Sequence, residues 1–194
     1  MSQTAMWGKI DHTFWPALLI AVSAISTLGF ACVTPFAAFA VAAAYVLPLR
    51  SALLCVFGVW LANQLVGFSA LGYPWTLDTL LWGLAIGISA LAATAFAFVV
   101  LHKQRRNLLA SASAGLAVAF VIYEAGLFLV TFGLGGSEAF TPAIVGQYAL
   151  LNVVWAAALV GVQEVLWKTR IIGVPLAVGG AKLKFQRSQP DPLS

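Results

Sequence analysis

Eight side chains suited to molecular recognition lie in otherwise apolar surroundings: Asn63, Gln64, Trp75, Asp78, Trp82, Glu124, Tyr148 and Asn152. The densest stretch is 60–83. There Asn63 and Gln64 come late in one hydrophobic segment, Tyr73, Pro74 and Trp75 form a turn, and Asp78, Thr79 and Trp82 open the next segment. Asp78 is the only charged residue between Arg50 and His102. Amides, carboxylates and indoles offer hydrogen bonds and cation–π contacts, and at a membrane segment they are costly unless they face protein, water or a ligand. The chemistry they offer is binding, and the cluster is expected to form one wall of a small-molecule pocket.

Catalytic constellations are missing from the sequence. It has no HExxH, paired CxxC or GxSxG, and no glycine-rich phosphate loop followed by lysine. His12 and His102 both lie beside the ends of hydrophobic runs, which excludes a histidine metal site within a bundle. The glycines around 133–136 read as a loop, and no nucleotide-binding domain is present to hydrolyse ATP. The expectation is a protein that is not an enzyme, with no cofactor and no metal.

The positioning elements follow from composition. Of 194 residues, 62% are hydrophobic and only 8% charged, with a mean hydropathy of +0.98. A soluble domain carries roughly 25% charged residues, so this chain belongs in a bilayer. Apolar runs at 14–33, 35–47, 51–68, 77–101, 108–134 and 143–167 predict an all-α bundle of six transmembrane helices. The second run is short and admits a tilted, broken or re-entrant reading. Residues 1–13 read as a polar leader, 14–167 as the membrane domain and 168–194 as a basic tail. Cys32 and Cys55, both in apolar surroundings, form neither a disulfide framework nor a metal finger.

Basic residues fix the orientation. Lys9 precedes the first run and Arg50 separates the second from the third. Lys103, Arg105 and Arg106 follow the fourth, and Lys168, Arg170, Lys182, Lys184 and Arg187 follow the sixth. These are all ten lysines and arginines, and six helices place every one on the same side. The positive-inside rule makes that side, with both termini, cytoplasmic. The expected location is the cell's inner (cytoplasmic) membrane, crossed several times.

Depth then follows from sequence position. Asn63 and Gln64, Asp78 to Trp82, Tyr123 and Glu124, and Gln147, Tyr148 and Asn152 all fall in the outer half, while the inner halves hold little beyond serine and threonine. A pocket opening outward explains this asymmetry. Each residue also has a plainer reading: Asn63 and Gln64 as interhelical glue, the tryptophans as an interfacial belt, Asp78 in a helix cap, Glu124 as a protonated structural group. Both cysteines have the plain reading of packing residues, with Cys32, near the outer end of helix one, also placed for a ligand contact. The outer side carries Asp78, Glu138 and Glu124 but no lysine or arginine, which favours a cationic or neutral ligand.

In outline, residues 14–167 resemble the substrate-binding S components of energy-coupling-factor (ECF) vitamin transporters. The stretch from Thr34-Pro35-Phe36-Ala37 through Val46-Leu47-Pro48-Leu49-Arg50 into Ser51-Ala52-Leu53-Leu54, and the turn at 67–79, carry the resemblance. It implies a six-helix protein with an outward pocket for a vitamin or related small molecule. The implied partner is an energising module of a transmembrane coupling subunit and ATPases, docked through small residues four apart on helix one; Ala17 and Ala21 have that spacing. Tyr148 and Asn152 with Glu124 and the tryptophans look like a thiamin-type site, and Cys32 invites comparison with cobalamin-binding relatives. The competing classes are a non-transporting accessory or scaffold protein and, more distantly, a membrane enzyme acting on a lipid or prenyl substrate. No nucleic-acid partner is expected.

Overall fold

A computed structural model describes residues 11–29, 34–103 and 108–168. They form α1 (Asp11–Gly29), α2 (Phe36–Val46), α3 (Leu49–Ser69), α4 (Leu77–Lys103), α5 (Leu108–Leu134), a short 3-10 helix (Ser137–Phe140) and α6 (Pro142–Lys168), with no strand among the described residues. Helices α3, α4, α5 and α6 are long and apolar enough to cross a membrane, and α1 and α2 contain shorter apolar stretches. The chain is an all-α, multi-pass membrane protein.

The centre of the bundle is its shortest α-helix. Eleven residues make α2 about 16 Å long, roughly half of the 30 Å hydrocarbon thickness. Every residue from Phe36 to Ala44 is buried, and α2 touches every other α-helix. Its alanines explain how: Ala37, Ala38, Ala40, Ala42, Ala43 and Ala44 let backbones approach from all sides, and van der Waals contact is the main attraction available between helices in lipid. A helix that is apolar all round belongs inside. Pro48, which has no N–H to offer, follows α2 directly and serves as the N-cap of α3.

α4 and α5 pack along much of their length, α1 lies mainly on α3, and α5 and α6 touch sparingly. On α1 the buried stripe is Trp15, Leu19, Ser23, Ser26 and Thr27; Phe14, Ala17, Ala21, Ile25 and Leu28 are exposed. Exposed side chains on the long helices, such as Leu54, Leu65, Ile88, Phe132 and Leu150, are apolar, as a lipid-facing surface requires.

α1 starts at Asp11, so it takes in the last residues of the expected leader, and α6 runs through Lys168. A helix does not have to stop where hydrophobicity does. The rest of the leader and of the basic tail lies outside the described residues. Gly72, at φ 70°, reverses the chain after α3, and α4 returns beside α3. This brings Arg50 and Lys103, both exposed, to the same end of the bundle.

Candidate functional site

At the end opposite Arg50 and Lys103, the bundle forms a partly open cavity of about 600 Å³. It follows from the shortness of α2. That helix ends near the start of α3 at the basic end, so its N-terminus lies part-way across the membrane, and Thr34 and Phe36 at that terminus contribute to the cavity lining. The rest of the wall comes from Asn63 and Gln64 of α3, Tyr73 of the turn, and Thr79, Trp82, Gly83 and Ile86 of α4. It is completed by Tyr123, Glu124 and Leu127 of α5, Ala139 and Phe140 of the 3-10 helix, and Ile144, Val145, Gln147, Tyr148 and Leu151 of α6. Among the described residues, Glu124 is the only charged one in that lining.

Five of the eight recognition residues therefore meet on one cavity: Asn63, Gln64, Trp82, Glu124 and Tyr148. Trp75, Asp78 and Asn152 stand outside it, which corrects the expectation that all eight share a pocket. Trp75 is 76% exposed and lies against Phe68 with ring centroids 4.4 Å apart, where a belt residue would sit. Asp78 is exposed in the first turn of α4, where a carboxylate complements the helix dipole. The cap of α4 is supplied by Thr76, whose Oγ1 accepts from Thr79 N–H at 3.3 Å.

Asn152 has a structural task. It is 1% exposed; its Oδ1 accepts from the Ala38 N–H at 3.0 Å and its Nδ2 donates to the Tyr148 carbonyl at 3.0 Å. A helix that begins inside a bilayer cannot leave its first N–H groups to water. Asn152 supplies one of the missing acceptors, and the Pro35 carbonyl accepts from Ala38 and Phe39.

Two hydrogen-bonded systems stiffen the wall. In the first, Asn63 Nδ2 donates to Thr34 Oγ1 at 2.8 Å and to Thr27 Oγ1 at 3.2 Å, while Gln64 Nε2 donates to Asn63 Oδ1 at 3.2 Å. In the second, Tyr148 donates to the Thr34 carbonyl at 2.5 Å, and its ring lies 6.2 Å, centroid to centroid, from that of Tyr123. Thr34 joins the two. Glycine makes room for the polar groups: a Cβ on Gly83 would lie 2.5 Å from Gln64 Oε1, and one on Gly67 would overlap the Tyr73 ring. Trp60 Nε1, behind the wall, donates to the Gly83 carbonyl at 2.8 Å.

Ala17 and Ala21 are both exposed on α1, away from the cavity. Cys55 is a buried free thiol in the core. Cys32 lies outside the described residues. Among the described residues no group of acidic, histidine or cysteine side chains could hold a metal ion.

Sequence reasoning left several wall residues out of its site. Tyr123 and Gln147 were legible as outer-half polar groups. The start of α2 was legible, since the apolar run opens at 35 and the helix at Phe36, but that this end lies inside the bundle and lines a cavity with Thr34 and Phe36 is a property of the neighbouring helices. Phe140 gave one faint signal, an aromatic in a short loop after two glycines whose φ angles are positive. In comparisons with known proteins, no family model, curated protein or solved structure matched this chain.

Proposed function

We propose that this protein is a substrate-binding and uptake subunit of the cytoplasmic membrane for a vitamin or related small molecule, similar in plan to an ECF S component. The observation carrying this reading is the cavity itself: about 600 Å³, lined by aromatic and amide side chains, with a single carboxylate and no basic residue among the described residues. Ligand sites have this form, a mostly apolar concavity with a few placed polar groups. A cationic or neutral ligand fits best. Trp82, Tyr73, Tyr123 and Tyr148 offer ring faces and Glu124 a counter-charge. The N-terminus of α2 brings about half a positive charge toward the floor. Glu124 outweighs that when ionised, with a full charge in the same lining.

Binding rather than catalysis is the role assigned to Asn63, Gln64, Trp82, Glu124 and Tyr148. Release toward the cytoplasm needs a conformational change, and an ATPase module docked on the exposed Ala17 and Ala21 face of α1 is the proposed source of energy. Mass spectrometry of what copurifies with the full chain identifies the ligand, and titration of that compound into wild type and Glu124→Gln tests the site. A cationic ligand is expected to bind the variant about tenfold more weakly or worse, a loss of about 1.4 kcal/mol. Unchanged affinity removes Glu124 from the site. Purified protein that neither carries nor binds any small molecule returns the chain to the scaffold class.

A further inference from the structure

The hydroxyl protons behind the cavity determine which face Gln64 shows to a ligand. Thr27, fully buried, has one hydroxyl proton, and its Oγ1 lies 2.9 Å from the Ser23 carbonyl, which can only accept. Toward its other neighbours, Thr34 Oγ1 at 3.0 Å and Asn63 at 3.2 Å, Thr27 is therefore an acceptor. Asn63 must then turn its NH₂ toward the threonines and its Oδ1 toward Gln64. Gln64 must answer with its own NH₂. Amide orientation is assigned from such networks, and here each step leaves one choice.

The consequence reaches the wall. Gln64 Oε1 is left beside Gly83 with no hydrogen bond among the described residues. The Tyr148 phenol proton is also engaged within the wall, on the Thr34 carbonyl. We infer that the wall presents a fixed hydrogen-bond acceptor: Thr27, Thr34 and Asn63 are positioning residues that hold Gln64 Oε1 in the lining it shares with the Glu124 carboxylate, and the ligand is a cation bearing N–H donors. This rests on the reading of the cavity as a ligand site and deepens it to a substrate class. A quaternary cation without donors meets the charge but leaves the Gln64 oxygen unpaired.

Two fixed cations of the same shape test this: an N-methyl aminoquinolinium ion and its isostere with methyl in place of amino. Both are titrated into the full-length protein in detergent, with tryptophan quenching as the readout. Wild type is expected to prefer the amino probe by about tenfold, as one hydrogen bond from a cationic donor to this half-buried acceptor gives. Gln64→Leu is expected to erase the preference and Gln64→Glu, which keeps an acceptor, to retain it. Thr34→Val and Asn63→Leu free Gln64 to rotate; they are expected to shrink the preference while the methyl probe still binds, and Thr34→Ser restores it. A merely structural role for these residues would weaken both probes alike. Equal binding of the two probes by wild type, or a full preference surviving in both Thr34→Val and Asn63→Leu, overturns the inference while leaving a ligand site standing. Silence from both probes overturns the site and the inference together.

Discussion

At the scale of single residues, what separates a ligand contact from a structural one is whether its polar atoms are already satisfied. Asn152 uses its oxygen on Ala38 and its nitrogen on Tyr148. Replacing it with leucine leaves the Ala38 N–H with only its bond to the Pro35 carbonyl and removes two hydrogen bonds, each worth about 0.5–1.5 kcal/mol, so Asn152→Leu should lower the melting temperature of the purified protein by a few degrees. Asp78→Ala and Trp75→Ala, at exposed positions, should leave both melting temperature and ligand affinity close to wild type. Gly67→Ala makes the complementary case. Its new Cβ meets the ring of Tyr73, which sits on a turn and can swing away. The expected result is a small change in stability but weaker binding of an aromatic ligand, read by the same titration; unchanged affinity would mean that Tyr73 is not a working part of the wall.

At the scale of elements, the membrane segments and their ends were legible because hydrophobicity and length report directly on a bilayer, and α5 runs over 108–134 as its apolar run does. Depth was legible too, since position along a helix fixes height at 1.5 Å per residue. Rotation was not. These helices are apolar on nearly all sides, so little in the pattern says which way a given side chain turns. Asn152 shows how narrow the margin is: it lies one turn below Tyr148 on the same face, and that step carries it from the cavity to the N-terminus of α2. The short central helix was legible as alanine-rich and brief, but its complete enclosure is a property of the neighbours. That enclosure makes a prediction for the element. Ala40 and Ala42 are wholly buried, so Ala40→Leu or Ala42→Leu should overpack the bundle and destabilise it by about 1–3 kcal/mol. Leu65→Ala on the lipid-facing side of α3 is the control that should cost little in a melting experiment.

At the scale of the whole molecule, the cavity lies at the end opposite Arg50 and Lys103, and the uptake reading depends on which end meets which compartment. On the positive-inside rule Arg50 and Lys103 are expected on the cytoplasmic side, which would open the cavity outward. The opposite insertion would leave the same fold and the same cavity, but a binding site facing the cell interior suits release or sensing rather than capture. Single cysteines decide between them, in a background with Cys32 and Cys55 changed to alanine. Ser137, exposed on the 3-10 helix beside the cavity, should as Ser137→Cys react with a membrane-impermeant maleimide in intact cells stripped of any outer barrier. Lys103→Cys, exposed at the far end of α4, should react only after the membrane is permeabilised. If ligand occupies the cavity, it should also slow labelling of a cysteine placed at Gln147, which is exposed and lines the cavity, without slowing Ser137→Cys. Reversed labelling of the first pair would invert the molecule and remove capture from its function, whereas protection of Gln147→Cys would still locate the ligand. The two measurements thus separate where the protein binds from which side it binds for.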